Sequence, residues 1–414
     1  MKILKQIKFF IKNIMRKLVE ILISILVLRN KKTILMALRT PNVEIIKNTR
    51  DYFMHNTKYL LLHLTSLANS KFKTIYLCDN EKMIKTFKSI GIKNVYKRKS
   101  LKGLFYSLNS KYWLYDDGKF GVNTPILSSG AICVNLWHGI PLKKIGNDMG
   151  VGINKKSLPK LQYLIWDLLR DKDSYYNVNS EYEQACYESA FLTDKEKIKI
   201  LGSPRLDVLL HDIPNAEIFM EEDFNNIKNL KSQGKKIFIY MPTFRDTGKD
   251  ISGWLKSDKL KEFLHNNNAV LVCKLHFADK NSLDFELSED FYKMDSDSDV
   301  YPILKYTDAL ITDYSSVYYD YLLLDKPIVY YSPDLEEYQE KCRGFYEPYE
   351  NLTAGAITQT EQELFDAMQN VIDGVDNYKE QRKALRDRMF KYQDGRNCER
   401  VVEWIKSLDE KKKK

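Results

Sequence analysis

The stretch DALITDYSSVYYDYLLLDKPIVYYS, residues 308–332, decides the fold class of this protein. It begins and ends with short apolar runs, at 308–313 and 328–332, whose composition is typical of strands buried on both faces. Between them, residues 316–324 follow helical spacing and begin with a serine, which is a favoured N-cap residue. Strand, helix and strand within 25 residues predict a βαβ unit, in which the two strands are parallel.

Similar apolar runs alternate with helix-period segments along most of the chain. This alternation is typical of a parallel α/β architecture. The other predicted strands are TILMAL (33–38), TIYLCD (74–79), YWLYDD (112–117), ICVNLW (132–137), YNVNS (176–180), IKILG (198–202), IFIYMP (237–242) and VLVCKL (270–275).

The strands fall into two sets, and a chain of 414 residues is long enough for two domains. Strand patterning lapses in the polar, charge-rich stretch from about 211 to 235, where we expect the boundary. We therefore predict two Rossmann-like domains that face a cleft, at 32–215 and 216–414. The last residues, from 378 to 408, read as helices, and we assign them to the second domain.

The positive charge is concentrated at the N-terminus. Residues 1–50 contain twelve Lys and Arg against two Glu, whereas the whole chain has a formal charge of only +9. The remainder is close to neutral, which argues against a nucleic-acid-binding protein. In residues 7–28 the basic residues alternate with apolar ones, and the uninterrupted apolar part is shorter than the ~20 residues that span a bilayer. We expect residues 1–31 to form a basic amphipathic helix on an anionic membrane, with an ordinary surface helix as the alternative.

The six cysteines show no CxxC spacing. This pattern indicates reduced structural thiols in a cytoplasmic protein and not a zinc site or a disulfide framework.

Reactive side chains follow several predicted strands. In open parallel sheets, ligands bind beyond the carboxyl ends of the strands. An imidazole there suits acid–base catalysis, and serine hydroxyls at the start of a helix suit phosphate, with a simple helix cap as the alternative. The residues in this position are His138 and Gly139, Thr243, Arg245 and Asp246, Lys274 and His276, and Asp313, Ser315 and Ser316.

Other motifs carry weaker signals. DSDSD (295–299) imitates an acidic metal-binding motif, but it lies in a polar run, and we interpret it as a solvated loop. GxGxxG, GxxxxGK[ST] and GxSxG are absent from the sequence. The remaining histidines have no partner spacing, so core or surface histidine is the default interpretation for His55, His63, His211 and His265.

Six motifs in order resemble one known family. They are NLWHGIPLKKIG (135–146), LGSPRLD (201–207), YMPTFRD (240–246), KLH (274–276), ITDYSSVYYDYLLLDKPIVYY (311–331) and RGFY (343–346). Together they resemble the CDP-glycerol glycerophosphotransferase family of teichoic-acid and capsule synthesis. The resemblance covers about residues 32–404.

The resemblance implies a fold similar to GT-B glycosyltransferases, with a CDP-linked polyol in the cleft and no cofactor or metal. It implies that His138 and His276 are catalytic, although Phe277 stands where a proline usually follows the second histidine. TAGAIT (353–358) replaces a common Pro-Gly-Pro turn, which leaves the shape of the nucleotide or acceptor pocket open. The implied substrate-binding residues are Gly139, Lys143, Arg205, Thr243, Arg245, Asp246, Lys274, Asp313, Ser315 and Ser316.

The residues and the resemblance support one reaction. An acceptor hydroxyl attacks the polyol-bearing phosphorus of a CDP-alcohol, and CMP leaves. His138 would act as general base, since a histidine has an ordinary pKa of ~6.5. Positive groups and the start of the helix at Ser315 would balance the phosphate charge without a metal.

The expected partners are a CDP-glycerol or CDP-ribitol donor, a lipid-linked glycan or polyol-phosphate acceptor, and the cytoplasmic face of the membrane, bound peripherally. A GT-B glycosyltransferase that uses a nucleotide sugar is the alternative enzyme. A catalytically inactive scaffold of a polymer-synthesis complex is the alternative outside enzymes. The residues leave open the polyol, the acceptor and the number of units added.

Overall fold

The computed structural model describes most of the chain, namely residues 2–37, 52–68, 70–149, 174–243, 251, 253–275, 290–341 and 344–410. Within these residues the chain forms two separate parallel β-sheets, which confirms the predicted α/β class. His276, Arg245, Asp246 and Cys342 lie outside the described residues.

The first sheet contains seven strands in the described residues, and every pairing in it is parallel. Its strand order is β3-β2-β1-β4-β5-β6-β7. The strands are β1 (Asn30–Ala37), β2 (Lys73–Leu77), β3 (Val95–Tyr96), β4 (Ser110–Tyr115), β5 (Ile132–Asn135), β6 (Tyr175–Val178) and β7 (Ile198–Ile200).

Helices before, between and directly after these strands belong to the same half of the chain. They are α1 (Lys2–Leu26), α2 (His55–Ser66), α3 (Glu81–Ser89), α4 (Leu101–Asn109), α5 (Lys119–Val122), α6 (Glu181–Phe191) and α7 (Asp207–Leu210).

The second sheet contains six strands in the described residues, again paired in parallel. Its order is β10-β9-β8-β11-β12-β13. The strands are β8 (Lys236–Met241), β9 (Ala269–Cys273), β10 (Phe291–Lys293), β11 (Ala309–Thr312), β12 (Ile328–Tyr331) and β13 (Ala356–Thr358).

The helices of the second half complete the fold. They are α8 (Glu221–Ser232), α9 (Asp258–Asn266), α10 (Tyr301–Leu304), α11 (Val317–Tyr321), α12 (Leu335–Lys341), α13 (Glu361–Ile372), α14 (Lys379–Met389) and α15 (Asn397–Glu410).

Every strand predicted from an apolar run is present, with ends shifted by a few residues. The sequence patterns missed β3, β10 and β13. Each of these has only two or three residues and lies at the edge of its sheet, so it is too short to show a period. The five described cysteines, Cys78, Cys133, Cys186, Cys273 and Cys398, are buried free thiols, as predicted.

The strand order reverses once in each sheet. In the first sheet this happens between β1 and β4, and in the second between β8 and β11. At such a reversal the connections leave toward opposite faces, which opens a crevice at the carboxyl ends of the strands. The topology therefore marks the loops after β4, β8 and β11 as the place for a ligand, and the loop after β5 lies beside the loop after β4.

The last helix, α15, packs on the first domain, although the sequence assigned it to the second. The Asp207 carboxylate accepts hydrogen bonds from the first two backbone N–H groups of α15, at Asn397 and Cys398, both 2.9 Å. Farther along, Trp404 packs edge-on against Tyr175 of β6, with ring centroids 5.1 Å apart. Burial raises the pKa of Asp207 to about 6. The chain thus crosses from the second sheet back to the first before it ends.

Helix α1 is tied to the first domain at its end. The Arg29 guanidinium donates to the carbonyl oxygens of Ser107, Ser110, Leu127 and Ser129, at 2.5–3.1 Å. Loss of hydration lowers the pKa of Arg29 to about 10. These bonds join the chain that follows α1 to the end of α4 and to the turn before β5.

The described side chains of α1 leave an apolar face uncovered. Leu18, Leu22, Ile25 and Leu26 are each at least half exposed. None of the helices in the described residues combines the length and the apolar character required to cross a bilayer. The sequence prediction of an amphipathic helix is therefore matched by a helix with an unpartnered apolar stripe.

We expect Asp207→Ala to loosen α15 from the first domain. The substitution removes both acceptors at the start of the helix, which costs about 1–2 kcal/mol of unfolding free energy. Hydrogen–deuterium exchange should quicken in residues 397–408, and urea unfolding should shift to lower concentration. Asp373→Ala, at an exposed position after α13, is the control. Equal protection of α15 in the Asp207 variant and wild type would contradict this role.

Candidate active site

The two sheets approach each other at the predicted strand ends. Gly139 follows β5 of the first sheet, and Ser316 follows β11 of the second. A Cβ built on Gly139 would lie 2.7 Å from the Ser316 Oγ atom, so a larger residue here would force the serine side chain to turn away. Gly139 thus lets the loops of the two domains pack closely at this point. The resemblance implied that Gly139 binds substrate, and the structure places a serine side chain against it.

His138 is held by its neighbours in a defined orientation. Its Nδ1 atom lies 3.0 Å from the carbonyl oxygen of Asp116, after β4. Because a carbonyl can only accept, Nδ1 carries the proton, and the lone pair of the neutral ring lies on Nε2. The imidazole also stacks on Trp137, with ring centroids 4.5 Å apart. This is the tautomer that a general base acting through Nε2 requires.

Asp116, whose carbonyl orients the imidazole, is itself held by hydrogen bonds to its side chain. Its carboxylate is buried and accepts from the backbone N–H of Thr57 at 3.1 Å and from the Thr57 hydroxyl at 2.5 Å. Thr57, at the start of α2, thus fixes Asp116 after β4, and the Asp116 carbonyl in turn orients His138.

Strand β5 ends earlier than the sequence predicted because the backbone turns at Trp137. Trp137 has φ +54°, in the left-handed region that costs energy for a residue with a side chain. Its N–H donates to the Asn135 Oδ1 atom at 2.9 Å. Because the backbone turns here, His138 does not continue the strand, and the predicted strand 132–137 is shortened to Ile132–Asn135.

His55 lies beside His138, a neighbour that sequence reasoning did not predict. Its ring centroid lies 5.9 Å from that of His138, and its φ is +65°. Strained backbone of this kind is concentrated at functional sites. The two histidines are 83 residues apart in sequence, and only the parallel sheet brings the start of α2 beside the end of β5. No local spacing could have paired them.

The second domain contributes a polar loop after β11. Asp313 is buried, and its Oδ1 atom accepts from the backbone N–H of Thr243 at 2.8 Å and of Tyr314 at 2.5 Å. These bonds join the ends of β8 and β11 across the strand reversal. The structure therefore brings Thr243 and Asp313 together, and this bond shapes the loop that carries the serines.

Ser315 and Ser316 are half-buried at the start of α11. Ser316 has helical backbone angles, and its side chain makes no capping hydrogen bond to the helix. The alternative of a simple cap is not supported. Helix α11 has only five residues before a 3-10 turn at Leu322–Leu324, so its helix dipole is small.

Two predicted lysines are engaged within the protein. Lys143 Nζ donates to the Tyr338 hydroxyl at 3.0 Å, and its backbone bridges to Phe345. Lys274 Nζ donates to the Asp295 carbonyl at 2.7 Å. Loss of hydration lowers the pKa of Lys274 to about 8, although nearby carboxylates such as Asp299 oppose the shift.

Arg205 lies in the protein interior. It is fully buried, and its guanidinium donates to Asp320 of α11 at 3.0 Å through both Nε and Nη2. Its Nε also donates to the Tyr301 hydroxyl at 2.9 Å. The sequence expected Arg205 to bind substrate, but this geometry commits the guanidinium to an ion pair between the two domains.

The loop 295–299 is not the solvated loop that its composition suggested. Asp299 is buried, and its Oδ2 atom accepts from Lys58 Nζ at 2.8 Å and from the Tyr59 hydroxyl at 2.7 Å. Among the residues that the structure describes, no cluster of three or more His, Cys, Asp or Glu side chains is arranged to hold a metal ion. The acidic run therefore anchors the second domain to α2.

A cavity of about 390 Å³ lies between the domains near this anchor. Phe53, two residues before His55 in sequence, is one of its walls. The lining combines aromatic rings with polar groups. Its lining residues are Tyr52, Phe53, Asn80, Lys82, Met83, Ile218, Phe219, Asp297 and Asp299.

Comparison with known proteins gives a family match and several similar proteins. Residues 32–407 match the family described as CDP-glycerol:poly(glycerophosphate) glycerophosphotransferase. The chain is 36% identical over 233 residues to the teichoic acid ribitol-phosphate polymerase TarL of Staphylococcus aureus (strain NCTC 8325 / PS 47), covering 54% of this chain and 40% of TarL. It is 30% identical over 320 residues to a teichoic acid poly(glycerol phosphate) polymerase of Bacillus spizizenii (strain ATCC 23059 / NRRL B-14472 / W23), covering 75% and 78%.

The solved structure of the wall teichoic acid polymerase TagF has the same fold. The TM-score is 0.71 at 22% sequence identity, over 99% of this chain and 98% of that chain. The chain spans less than half the length of TarL and of the related polymerase TarK. The family match nevertheless includes both sheets and all six ordered motifs, which confirms the resemblance drawn from the motifs: this protein belongs to the CDP-glycerol:poly(glycerophosphate) glycerophosphotransferase family.

Proposed function

We propose that this protein transfers a polyol phosphate from a CDP-alcohol to a hydroxyl group of a membrane-linked acceptor, in teichoic-acid or capsular polymer synthesis. The observation that carries the proposal is the contact between Gly139 and Ser316. It joins the loop of an oriented imidazole, from one sheet, to a pair of serines suited to phosphate, from the other. An enzyme that activates a hydroxyl next to a phosphate needs these two parts close together.

The chemical step follows from the His138 tautomer. The acceptor hydroxyl gives its proton to Nε2 of His138, and its oxygen forms a bond to the polyol-bearing phosphorus of the donor. The bond between that phosphorus and the CMP oxygen breaks, and CMP leaves with the electron pair. The Asp116 carbonyl keeps Nδ1 protonated throughout and stabilises the imidazolium that forms.

Charge on the donor pyrophosphate requires hydrogen-bond donors and positive groups. We assign this role to Ser315 and Ser316, together with Lys274, which follows β9, two strands from β11 in the same sheet. Arg245, Asp246 and His276 keep their predicted roles, in which His276 assists the leaving phosphate. A TagF structure soaked with CDPG supports a CDP-glycerol donor for this family.

The acceptor enters, on this proposal, by the cavity of about 390 Å³ that Phe53 and Asp299 help to line. Aromatic walls with carboxylate and amide groups suit a polyhydroxylated ligand, since rings pack on its C–H faces and polar groups bond its hydroxyls. The relatives named above act on both ribitol phosphate and glycerol phosphate, so either polyol fits the proposal.

The site would operate at the cytoplasmic face of the membrane. The apolar stripe of α1 supports peripheral attachment, because a helix with apolar residues on one face and Lys or Arg beside them binds anionic interfaces. Arg29 would keep that helix at a fixed position relative to the first domain.

We expect His138→Ala to lower the rate of CMP release by ~10²–10⁴-fold, the usual contribution of a positioned acid–base group. The partly exposed ring fills no core space, so the thermal unfolding temperature should stay near that of wild type. CMP release from CDP-glycerol and from CDP-ribitol, with a lipid-linked acceptor, measures the effect.

The matched control is His265→Ala, because the His265 side chain is 84% exposed on α9. His211 is less suitable, since its Nε2 atom bonds the Asp394 carbonyl. A destabilised His138→Ala protein with wild-type activity would refute the catalytic assignment. Release of UDP from a UDP-sugar, and no CMP release by wild type, would favour the glycosyltransferase alternative.

We expect the double variant Ser315→Ala, Ser316→Ala to bind the donor ~10- to 10³-fold more weakly, because two hydroxyl donors to an anion are lost. Isothermal titration calorimetry with CDP-glycerol measures the affinity. Ser257→Ala is the control, since the Ser257 side chain caps α9 by accepting from the N–H of Leu260 at 3.2 Å. That variant should lose stability and keep donor affinity. Unchanged affinity in the double variant would remove the serines from the site.

We expect Leu18→Asp with Leu22→Asp to reduce sedimentation with phosphatidylglycerol vesicles at least tenfold. Each exposed leucine contributes about 1.5–3 kcal/mol when an apolar phase covers it. Leu101→Asp, at an 89% exposed leucine on α4, is the control for adding charge elsewhere. Vesicle binding that is equal in the double variant and wild type would exclude α1 as the membrane contact.

A further inference from the structure

Asn56 lies at the second position of α2 and bonds the loop that carries His138. The residue is fully buried. Its Nδ2 atom donates to the Leu136 carbonyl at 2.9 Å and to the Trp137 carbonyl at 2.8 Å. These are the two carbonyl groups immediately before His138, and both lie beyond the end of β5 at Asn135.

The loop needs such a partner because its backbone is strained. Trp137 adopts φ +54°, a conformation that persists only where neighbouring groups hold it. Buried carbonyls that lose their donors carry a large penalty. The Asn56 amide satisfies both carbonyls at once, so it stabilises the turn that aims the imidazole.

The other end of the Asn56 amide faces Arg205. Its Oδ1 atom accepts from the Arg205 backbone N–H at 3.0 Å and from Nη1 at 3.4 Å. The same guanidinium holds Asp320 on α11 through Nε and Nη2. Asp320 lies five residues after Ser315 on the segment that carries the serines.

A continuous set of buried hydrogen bonds therefore runs between the two halves of the site. It passes from the loop of His138 to Asn56, from Asn56 to Arg205, and from Arg205 to Asp320 on the serine-bearing helix. Buried ion pairs add little stability compared with apolar packing, but they fix relative position.

We propose that Asn56 is a positioning residue for His138, and that Arg205 and Asp320 extend its action to α11, so that imidazole and serines keep one relative geometry. This inference rests on the proposed function for its kinetic consequence, but the orientation of the ring can be measured without activity. Asn56 touches neither the reacting atoms nor the donor, and it acts through the His138 loop.

Asn56→Asp tests the proposal with almost no change in volume. The carboxylate keeps an acceptor for Arg205 and replaces the Nδ2 donor by an oxygen that repels the two carbonyls. We expect kcat to fall at least 30-fold while the Kd of CDP-glycerol changes less than threefold. Asn56→Ala, which removes both ends of the amide, is the second variant. It should likewise lower kcat far more than it changes the Kd of CDP-glycerol.

Nitrogen NMR of ¹⁵N-histidine-labelled protein, assigned with His138→Ala, reports the tautomer of His138 directly. Wild type should show Nδ1 protonated. In Asn56→Asp the population should move toward the Nε2-protonated form, because the ring is no longer held against the Asp116 carbonyl. If wild type releases no CMP from either CDP-alcohol, the proposed function fails, and the tautomer still decides the positioning role.

Lys58→Gln is the matched control. Lys58 lies two residues along the same helix, is equally buried and also pairs with the second domain through Asp299, yet it makes no bond to the His138 loop. Because Asp299 also lines the proposed acceptor cavity, kcat is measured at saturating acceptor. We expect lower thermal stability, kcat within twofold of wild type and an unchanged tautomer, with any effect on the acceptor confined to its KM. Equal losses of kcat in Lys58→Gln and Asn56→Asp would show a general effect of the domain interface and overturn the proposal. So would an unchanged tautomer in Asn56→Asp.

Asp320→Asn tests the extension to α11. Weakening the pair with Arg205 should lower kcat and donor affinity together, by about three- to tenfold each, because the serine-bearing helix shifts. Wild-type values for both would overturn the part of the proposal that concerns Arg205 and Asp320.

Discussion

The buried ion pair between Arg205 and Asp320 is the constraint on which the relative position of the two sheets depends. Both side chains are almost entirely removed from water, which carries a large desolvation cost unless every polar atom finds a partner. Tyr301 and Asn56 supply the remaining partners. A small rotation of one domain would break several of these bonds at once. The interface is therefore restricted to one geometry, and that geometry places Ser316 against Gly139.

Parallel topology explains why the site lies at this edge of both sheets. The loops after β4 and β5 orient His138, and the loops after β8 and β11 are joined by the bond between Thr243 and Asp313. In each sheet these loops lie at or next to the reversal of strand order. Side chains distant in sequence thus converge without any long excursion of the chain. The same arrangement leaves a cavity between the domains with walls from both.

The two ends of the described chain both attach to the first domain. Arg29 anchors the end of α1 through four carbonyl groups, and Asp207 caps the start of α15. These contacts connect distant segments by a single charged side chain each. On our proposal, α1 contacts the membrane and α15 returns from the second domain. Both helices are attached to the domain that carries His138. The position of that domain relative to an acceptor in the membrane would then be fixed by α1.

The sequence by itself determined the α/β class, the central strands and the loops that carry His138 and Ser316, because apolar period and turn residues are local properties. It could not determine β3, β10 and β13, which are too short to show a period, or the return of α15 to the first domain. It also misjudged Arg205 and Asp299, whose charges suggested ligand or solvent and which lie in buried interdomain pairs. The partnership of His138 with His55 and Asn56 was decided only by tertiary structure, since contacts across about 80 residues depend on how strands order in the sheet.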